Sequence, residues 1–216
     1  MGRDGVGRLG QTGADAMTDR LGGDGAVSLV RCPWAEHGGA AERAYHDLEW
    51  GVPLHEERAL FELLTLEGAQ AGLSWSLVLG RREGYRRAFA GFDPDLIATW
   101  SDEDVDALVN DAAIIRNRGK IASVVTNARA VRELRNDATS FDAYLWAFTG
   151  GAPLQPRHTR AVDVPTTTEL ATALSRDLKR RGFRFVGPTI VYSFMQATGM
   201  TNDHVTGCFR FAELAT

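Results

Sequence analysis

The spacing of apolar residues predicts a chain that is helical almost throughout. In residues 60–64 (LFELL) the apolar positions recur at i, i+3 and i+4, the period of a helix with a buried face. Strand-like alternation is scarce, and residues 161–164 are predicted to form an extended link before Pro165. We therefore predict an all-α fold. The predicted helices are residues 56–69, 75–89, 94–99, 102–111, 118–134, 141–148, 167–181 and 188–198.

Two of these helices have clear start signals. Ser101 is followed three residues later by Asp104, which predicts a capping box with aspartate in place of glutamate. Asp93 precedes Pro94, so that an N-cap side chain is followed by proline at the first helical position.

Composition and length set the expected domain organisation. Residues 1–28 are rich in Gly, Asp and Arg without periodicity, and we predict a disordered tail there and one globular domain over residues 29–216. The 216-residue chain is 44% hydrophobic and 24% charged, as in ordinary globular proteins. It lacks an apolar run long enough to span a bilayer and an apolar N-terminal signal segment. We expect a cytoplasmic monomer with no membrane partner.

The net charge of −4 does not favour nucleic-acid binding, but the basic residues are clustered. The short connector between predicted helices 102–111 and 118–134 indicates a helical hairpin near residues 102–134. The start of its second helix offers N–H groups and the positive end of the helix dipole to a phosphate. Arg116, Arg118 and Lys120 surround this position and fit DNA-backbone contact. An ordinary hairpin with a solvated basic turn remains the alternative, since Ala113 stands where a DNA-binding hairpin usually has glycine.

Both cysteines of the chain have a histidine at ligand-like spacing. The pairs are Cys32-x13-His46 and His204-x3-Cys208. Two cysteines and two histidines form a closed tetrahedral zinc set, which is typical of structural rather than catalytic sites. Such a Zn²⁺ would join segments 31–50 and 200–210 across a long loop. Two buried free cysteines and two hydrogen-bonded histidines are the alternative, and we favour zinc.

The stretch LEGAQAGLSW (66–75) contains a single carboxylate, Glu67, in an apolar setting. A buried charge needs partners or serves a function, because burying it without compensation is costly. Trp75 ends the stretch, and Trp34 and Tyr45 lie next to the predicted zinc ligands. Two tryptophans, a tyrosine and a carboxylate suit a pocket for a flat, cationic ring, as in an enzyme that flips a base. An exposed glutamate and three core rings would also explain these residues.

Six stretches cover almost the whole chain from residue 31 to residue 208. They are RCPW (31–34), AYHDLEWGVP (44–53), LEGAQAGLSW (66–75), IIRNRGKI (114–121), KRRGFRFVGPT (179–189) and YSFMQATGMTNDHVTGC (192–208). Together and in this order they resemble the 3-methyladenine DNA glycosylase I (Tag) family of the helix-hairpin-helix glycosylase superfamily. The resemblance implies a helix-hairpin-helix glycosylase-like fold in which a structural zinc joins the N- and C-terminal segments. The implied zinc ligands are Cys32, His46, His204 and Cys208.

The resemblance also implies roles for the pocket residues. Glu67 would hydrogen-bond the methylated adenine with Tyr45 beside it, between aromatic walls formed by Trp75 and Trp34. Gly72 and Leu73 would contact DNA, with Leu73 entering the gap left by the flipped nucleotide. One departure is visible, because the family often carries a tyrosine where this chain has Glu42.

The implied reaction is excision of 3-methyladenine from alkylated double-stranded DNA by hydrolysis of the N-glycosidic bond. No lysine nucleophile is evident, so an abasic site without strand cleavage is expected. A non-catalytic, zinc-stabilised DNA-binding module is the main alternative, but it leaves Glu67 and its aromatic neighbours unexplained. A zinc hydrolase needs an open coordination position for water, and four protein ligands argue against it.

Overall fold

The computed structural model describes residues 29–137 and 139–215. Residues 1–28, for which we predicted a disordered tail, lie outside this part. The described residues form α-helices joined by turns, with an isolated bridge between Leu154 and Thr201 and no strand among them, so the all-α prediction is confirmed. The helices are α1 (Pro33–Glu36), α2 (Ala40–Leu48), α3 (Glu57–Gln70), α4 (Trp75–Leu79), α5 (Arg82–Ala88), α6 (Pro94–Ile97), α7 (Asp102–Leu108), α8 (Arg118–Asn136), α9 (Phe141–Trp146), α10 (Glu169–Arg180), α11 (Pro188–Ala197) and α12 (Phe209–Glu213).

Two local predictions need correction, and one helix was missed. The helix predicted over residues 75–89 is two helices, α4 and α5, because α4 ends at Leu79 and α5 begins at Arg82. The extended link predicted at residues 161–164 is wrong, because Ala161–Asp163 is a turn of 3-10 helix closed by an ion pair between Arg160 and Asp163. Helix α2, with the sequence AAERAYHDL, was not among the predicted helices, although its apolar residues recur at helical spacing.

Both predicted start signals act as expected. Ser101 caps α7 by accepting a hydrogen bond from the Asp104 N–H, while the Asp104 carboxylate accepts one from the Ser101 N–H at 2.8 Å. Asp93 caps α6 by accepting from the Asp95 N–H at 3.0 Å, with Pro94 at the first helical position.

Helix α3 lies at the centre of the core. Every residue from 60 to 69 is buried, and the helix contacts α4, α8, α9 and α11. A helix that is buried on all sides is a core helix rather than an amphipathic surface helix. Two of its buried residues, Glu62 and Glu67, are nevertheless acidic. Among the described residues, no helix is long and apolar enough to cross a membrane.

The segment between α7 and α8 packs tightly on α5. A Cβ atom added at Gly84 would lie 2.2 Å from the carbonyl oxygen of Ala113. The backbone of the segment between α7 and α8 therefore lies so close to α5 at Gly84 that a side chain at this position would not fit. Tyr85 adds a second contact, because its hydroxyl accepts a hydrogen bond from the Ile115 N–H at 3.3 Å.

We expect Gly84→Ala to destabilise the protein by roughly 1–3 kcal/mol, since the methyl group overpacks against backbone that cannot rotate away. The matched control is Gly39→Ala, because a Cβ there meets nothing within 4 Å. The measurement is chemical denaturation of both variants beside the wild type. Equal stability of the two variants would contradict this account of the connector.

Candidate functional site

A cavity of about 550 Å³ opens beside the C-terminal half of α3. It is bounded by α2, α3, α4 and α11 and by the segment around residues 161–166. The structure brings together in its walls the four residues that the sequence suggested for a ring-binding pocket. They are Glu67, Tyr45, Trp75 and Trp34.

Glu67 is a buried carboxylate without a compensating partner. It is 5% exposed and makes no hydrogen bond or ion pair with any residue that the structure describes. Burial raises its pKa from near 4.5 to about 8. Glu62, five residues earlier on the same helix, is also buried, but it is paired with the guanidinium groups of Arg82 and Arg86. A buried carboxylate with a structural role, such as Glu62, has a charged partner. Glu67 has none among the described residues, which makes it a candidate functional group.

Tyr45 and Trp75 form an aromatic corner beside Glu67. Their ring centroids are 5.1 Å apart at an interplanar angle of 45°. The Tyr45 hydroxyl and the Trp75 Nε1 are both buried, and neither has a hydrogen-bond partner in the part of the chain that the structure describes. Burial, and then the neighbouring Glu67 charge, raises the pKa of Tyr45 well above its ordinary value. Unsatisfied buried polar groups are costly, so this corner suits a ligand that is flat and polar at its edge.

Trp34 lies at the rim of the cavity. Its ring meets His46 and Trp50 edge-on, each with a centroid distance of 5.3 Å, and the residue is 36% exposed. Trp50, which the sequence analysis did not single out, also lines the cavity. Glu42, the residue found in place of an expected tyrosine, lines it as well, and its carboxylate accepts a hydrogen bond from the Gly39 N–H at 3.0 Å.

The wall contributed by α11 was not predicted from the sequence. Asp203 is fully buried and accepts hydrogen bonds from the Tyr192 hydroxyl at 2.5 Å and from the Gln196 amide at 2.7 Å. All three residues line the cavity. The sequence spacing of these residues does not predict the cluster, because its hydrogen bonds connect α11 to Asp203 in the loop that follows.

The four predicted metal ligands come together in one buried cluster. The ligand atoms of Cys32, His46, His204 and Cys208 all lie within 4.8 Å of one another. The Cys208 Sγ is 3.4 Å from His46 Nε2 and 3.5 Å from His204 Nδ1. Tetrahedral zinc, with bonds of about 2.3 Å to sulfur and about 2.0 Å to nitrogen, separates such atoms by roughly 3.5 Å. The residues therefore fit a metal site.

The second nitrogen of each histidine in the cluster is held by a hydrogen-bond acceptor. His46 Nδ1 contacts the Asp47 carboxylate at 2.8 Å, and Arg31 in turn binds this carboxylate through Nε and Nη2. His204 Nε2 contacts the Trp50 carbonyl oxygen at 3.0 Å. Partners of this kind fix the ring orientation and the tautomer of metal-binding histidines.

The predicted DNA-contacting turn lies between α3 and α4. Gly72 has a φ of +76°, a conformation that favours glycine, and Leu73 is 38% exposed at its tip. The Lys120 ammonium group donates hydrogen bonds to the carbonyl oxygens of Ala69 and Ala71 at 2.8 and 2.7 Å. Lys120 therefore holds the turn that carries Leu73, and phosphate binding by Lys120 stays a prediction.

Arg116 and Arg118 lie at the start of α8, as the sequence predicted. Both are exposed, and Arg118 forms an ion pair with Asp106 at 2.7 Å. Arg116 forms no ion pair with a described residue. Their contact with DNA likewise stays a prediction.

The fold and this cavity define an all-α protein with an open pocket, lined by aromatic and carboxylate side chains, beside a cluster of potential metal ligands. The family model for methyladenine glycosylases matches residues 34–211, and the chain belongs to that family. The family resemblance drawn from the sequence motifs is thus confirmed.

Known proteins are similar to this chain over most of their own length. DNA-3-methyladenine glycosylase 1 of Escherichia coli (strain K12) is 49% identical over 180 residues, which cover 83% of this chain and 96% of the relative. A crystal structure of 3-methyladenine DNA glycosylase I is similar with a TM-score of 0.81 at 48% identity, covering 83% of this chain and 98% of that one. A variant of 3-methyladenine DNA glycosylase I in complex with 3-methyladenine has a TM-score of 0.79 at 36% identity, covering 81% and 94%.

We expect Glu67→Gln to stabilise the protein at pH 8.5 but not at pH 4.5. The raised pKa means that between about 4.5 and 8 the unfolded carboxyl group ionises while the folded one stays protonated. The stability of the wild type therefore falls as the pH rises through this window, and a neutral glutamine removes the loss.

The measurement is thermal unfolding of wild type and Glu67→Gln across this pH range. The control is Glu62→Gln, which removes a partner of Arg82 and Arg86 and should lower stability instead. A Glu67→Gln variant that is less stable than wild type at pH 8.5 would show that Glu67 is compensated after all.

Proposed function

We propose that this protein is a DNA-3-methyladenine glycosylase. It flips 3-methyladenine out of alkylated double-stranded DNA and hydrolyses the N-glycosidic bond, leaving an abasic site without strand cleavage. It acts as a cytoplasmic monomer built from a single domain over residues 29–216. The observation that carries the proposal is the buried, uncompensated Glu67 within a cavity walled by Tyr45, Trp75 and Trp34. The proposal is supported by two similar proteins that are named as DNA-3-methyladenine glycosylases.

The chemistry of the damaged base matches this pocket. Methylation at N3 makes the adenine of the nucleotide cationic and a good leaving group, so no strong acid or activated nucleophile is needed. The enzyme has to bind the departing base and stabilise an oxocarbenium-like transition state. Glu67 gains a positive partner, which none of the described residues supplies, and it accepts a hydrogen bond from the base.

The aromatic residues contribute the remaining contacts to the base. Tyr45 and Trp75 stack on a cationic ring and offer it the hydroxyl and N–H groups that no described residue hydrogen-bonds. We assign Tyr45, with Glu67, to the catalytic residues because both touch the departing base. Trp34 covers the base from the rim of the cavity.

The DNA-binding surface combines the turn after α3 with the hairpin of α7 and α8. Leu73 enters the gap left by the flipped nucleotide, and Gly72 lets the backbone approach the duplex closely. Arg116 and Arg118 neutralise phosphates at the start of α8, where the helix dipole also favours negative charge. Lys120 contributes charge there while it holds the Leu73 turn. Residues 102–134 thus serve as the helix-hairpin-helix element.

The cluster of Cys32, His46, His204 and Cys208 holds a structural Zn²⁺. Four protein ligands close the coordination sphere, so the metal stabilises the fold and takes no part in the reaction. It joins segments 31–50 and 200–210 and so fixes Trp34 and Tyr45, which lie beside two of the ligands.

The direct test is release of free 3-methyladenine from methylated duplex DNA by the wild type and by Glu67→Gln. We expect release by the wild type and a loss of roughly 10- to 100-fold in the variant, because the buried cation loses its charged partner. Glu169→Gln, an exposed position at the start of α10, is the matched control and should keep full activity.

Two results would contradict the proposal. If the wild type binds methylated DNA but releases no base, the protein is the non-catalytic, zinc-stabilised DNA-binding module considered from the sequence. An enzyme–DNA adduct trapped by borohydride would reveal an amine nucleophile and would exclude the monofunctional mechanism.

We expect the purified protein to contain one zinc ion per chain and Cys208→Ala to lose it. Because metal binding in such sites is coupled to folding, removal should lower the free energy of unfolding by up to about 10 kcal/mol. Metal analysis and thermal unfolding check both points. A wild type that is fully folded without zinc, with unchanged stability in Cys208→Ala, would contradict the assignment.

A further inference from the structure

Phe185 has a strained backbone and an exposed ring. It lies in the loop between α10 and α11 with a φ of +54°, a region that bulky residues rarely adopt. Phe92 also has a positive φ, but its ring is buried in the core, whereas Phe185 is 37% exposed. Packing in the core therefore does not explain why a large aromatic side chain occupies this position.

Two buried polar side chains hold the residues on either side of Phe185. The Asn127 amide donates to the Arg184 carbonyl oxygen at 3.1 Å and accepts from the Arg184 N–H at 2.8 Å. The Ser175 hydroxyl donates to the Val186 carbonyl oxygen at 2.6 Å. Asn127 on α8 and Ser175 on α10 thus fix the loop in its strained form. Strain that is held in this way is typical of functional positions.

The ring lies between the predicted DNA-contacting turn and the start of α8. A Cβ atom at Gly68 of α3 would be 3.3 Å from the Phe185 Cβ, and one at Gly119 of α8 would be 3.9 Å from its Cζ. Gly68 is one helical turn before Gly72. Lys120, next to Gly119, is hydrogen-bonded to Ala69 and Ala71 at the same junction. Phe185 and Leu73 are therefore two apolar side chains exposed beside one short segment of α3.

The surroundings of Phe185 suit a polyanion. Arg184 precedes it directly, and Arg116 lies at the start of α8. Both arginines are exposed, and neither forms an ion pair with a described residue. An exposed aromatic ring on a surface that also carries exposed arginines is the combination that binds nucleic acids through base stacking and phosphate contact.

We propose that Phe185 is a DNA-binding residue that stacks on a base of the substrate duplex next to the flipped nucleotide. This inference rests on the proposed glycosylase function. When a nucleotide flips out of the duplex, the neighbouring bases lose a stacking contact. An aromatic ring at a fixed position can replace that contact. The strained loop holds the ring in place before DNA binds.

The test uses duplex DNA with a stable abasic-site analogue and compares Phe185→Ala and Phe185→Tyr with the wild type. We expect alanine to weaken duplex binding about ten-fold, as for a lost stacking contact, and tyrosine to restore it.

The dependence of binding on salt should not change in Phe185→Ala, because no ionic contact is lost. Arg116→Ala should instead reduce the salt slope by about one. Binding of free 3-methyladenine, followed by tryptophan fluorescence, should stay at the wild-type level in both Phe185 variants.

The matched control for a lost exposed side chain is Leu96→Ala, which should bind DNA normally. Leu96 is 55% exposed on α6, and the neighbouring Asp95 pairs with Arg135 near the C-terminal end of α8, away from Gly119. If Phe185→Ala does not fold, Phe185→Gly takes its place, because glycine adopts the positive φ without strain.

Duplex binding by Phe185→Ala at the wild-type level would overturn the inference. A parallel loss of free 3-methyladenine binding would also overturn it, because the role of the residue would then be structural. Failure of the proposed function has a different signature, since the wild type itself would then release no 3-methyladenine from methylated DNA.

Discussion

The central constraint of the structure is the buried carboxylate of Glu67 in the core helix α3, which has no hydrogen-bond or ion-pair partner among the described residues. Glu62 shows how this fold compensates a buried acid when compensation is needed, because Arg82 and Arg86 of α5 both pair with its carboxylate. Within residues 29–137 and 139–215, Glu67 receives no such partner, and Tyr45 and Trp75 beside it have polar groups without a hydrogen bond. Three uncompensated groups around one cavity indicate that the compensation comes from a bound molecule.

The metal-ligand cluster and the pocket share the same short segments. Trp34 and Tyr45 lie within two residues of Cys32 and His46 along the chain, and Asp203 directly precedes His204. The N- and C-terminal segments that supply the metal ligands therefore also supply residues of the cavity wall. Stability and pocket geometry are coupled in this way, so that loss of the cluster should alter both.

The sequence predicted those features of the fold and the site that follow from hydrophobic periodicity and residue type. The apolar spacing identified α3 and the other core helices, and matched Cys–His spacings indicated the ligand cluster. The role of Lys120 could not be predicted, because basic residue types suggest phosphate binding but do not show that carbonyl oxygens of α3 accept its hydrogen bonds. The strained φ of Phe185 and the wall formed by Asp203 also depend on contacts between distant segments, which local propensity does not contain.

The most direct test of the central claim is the titration of the Glu67 side chain by NMR, using a carboxyl label and Glu67→Gln for assignment. The account predicts a midpoint at a pH of about 8 in the free protein, raised by burial, and a change in both midpoint and chemical shift when 3-methyladenine binds. A midpoint near the ordinary value of 4.5, with no response to the base, would contradict it.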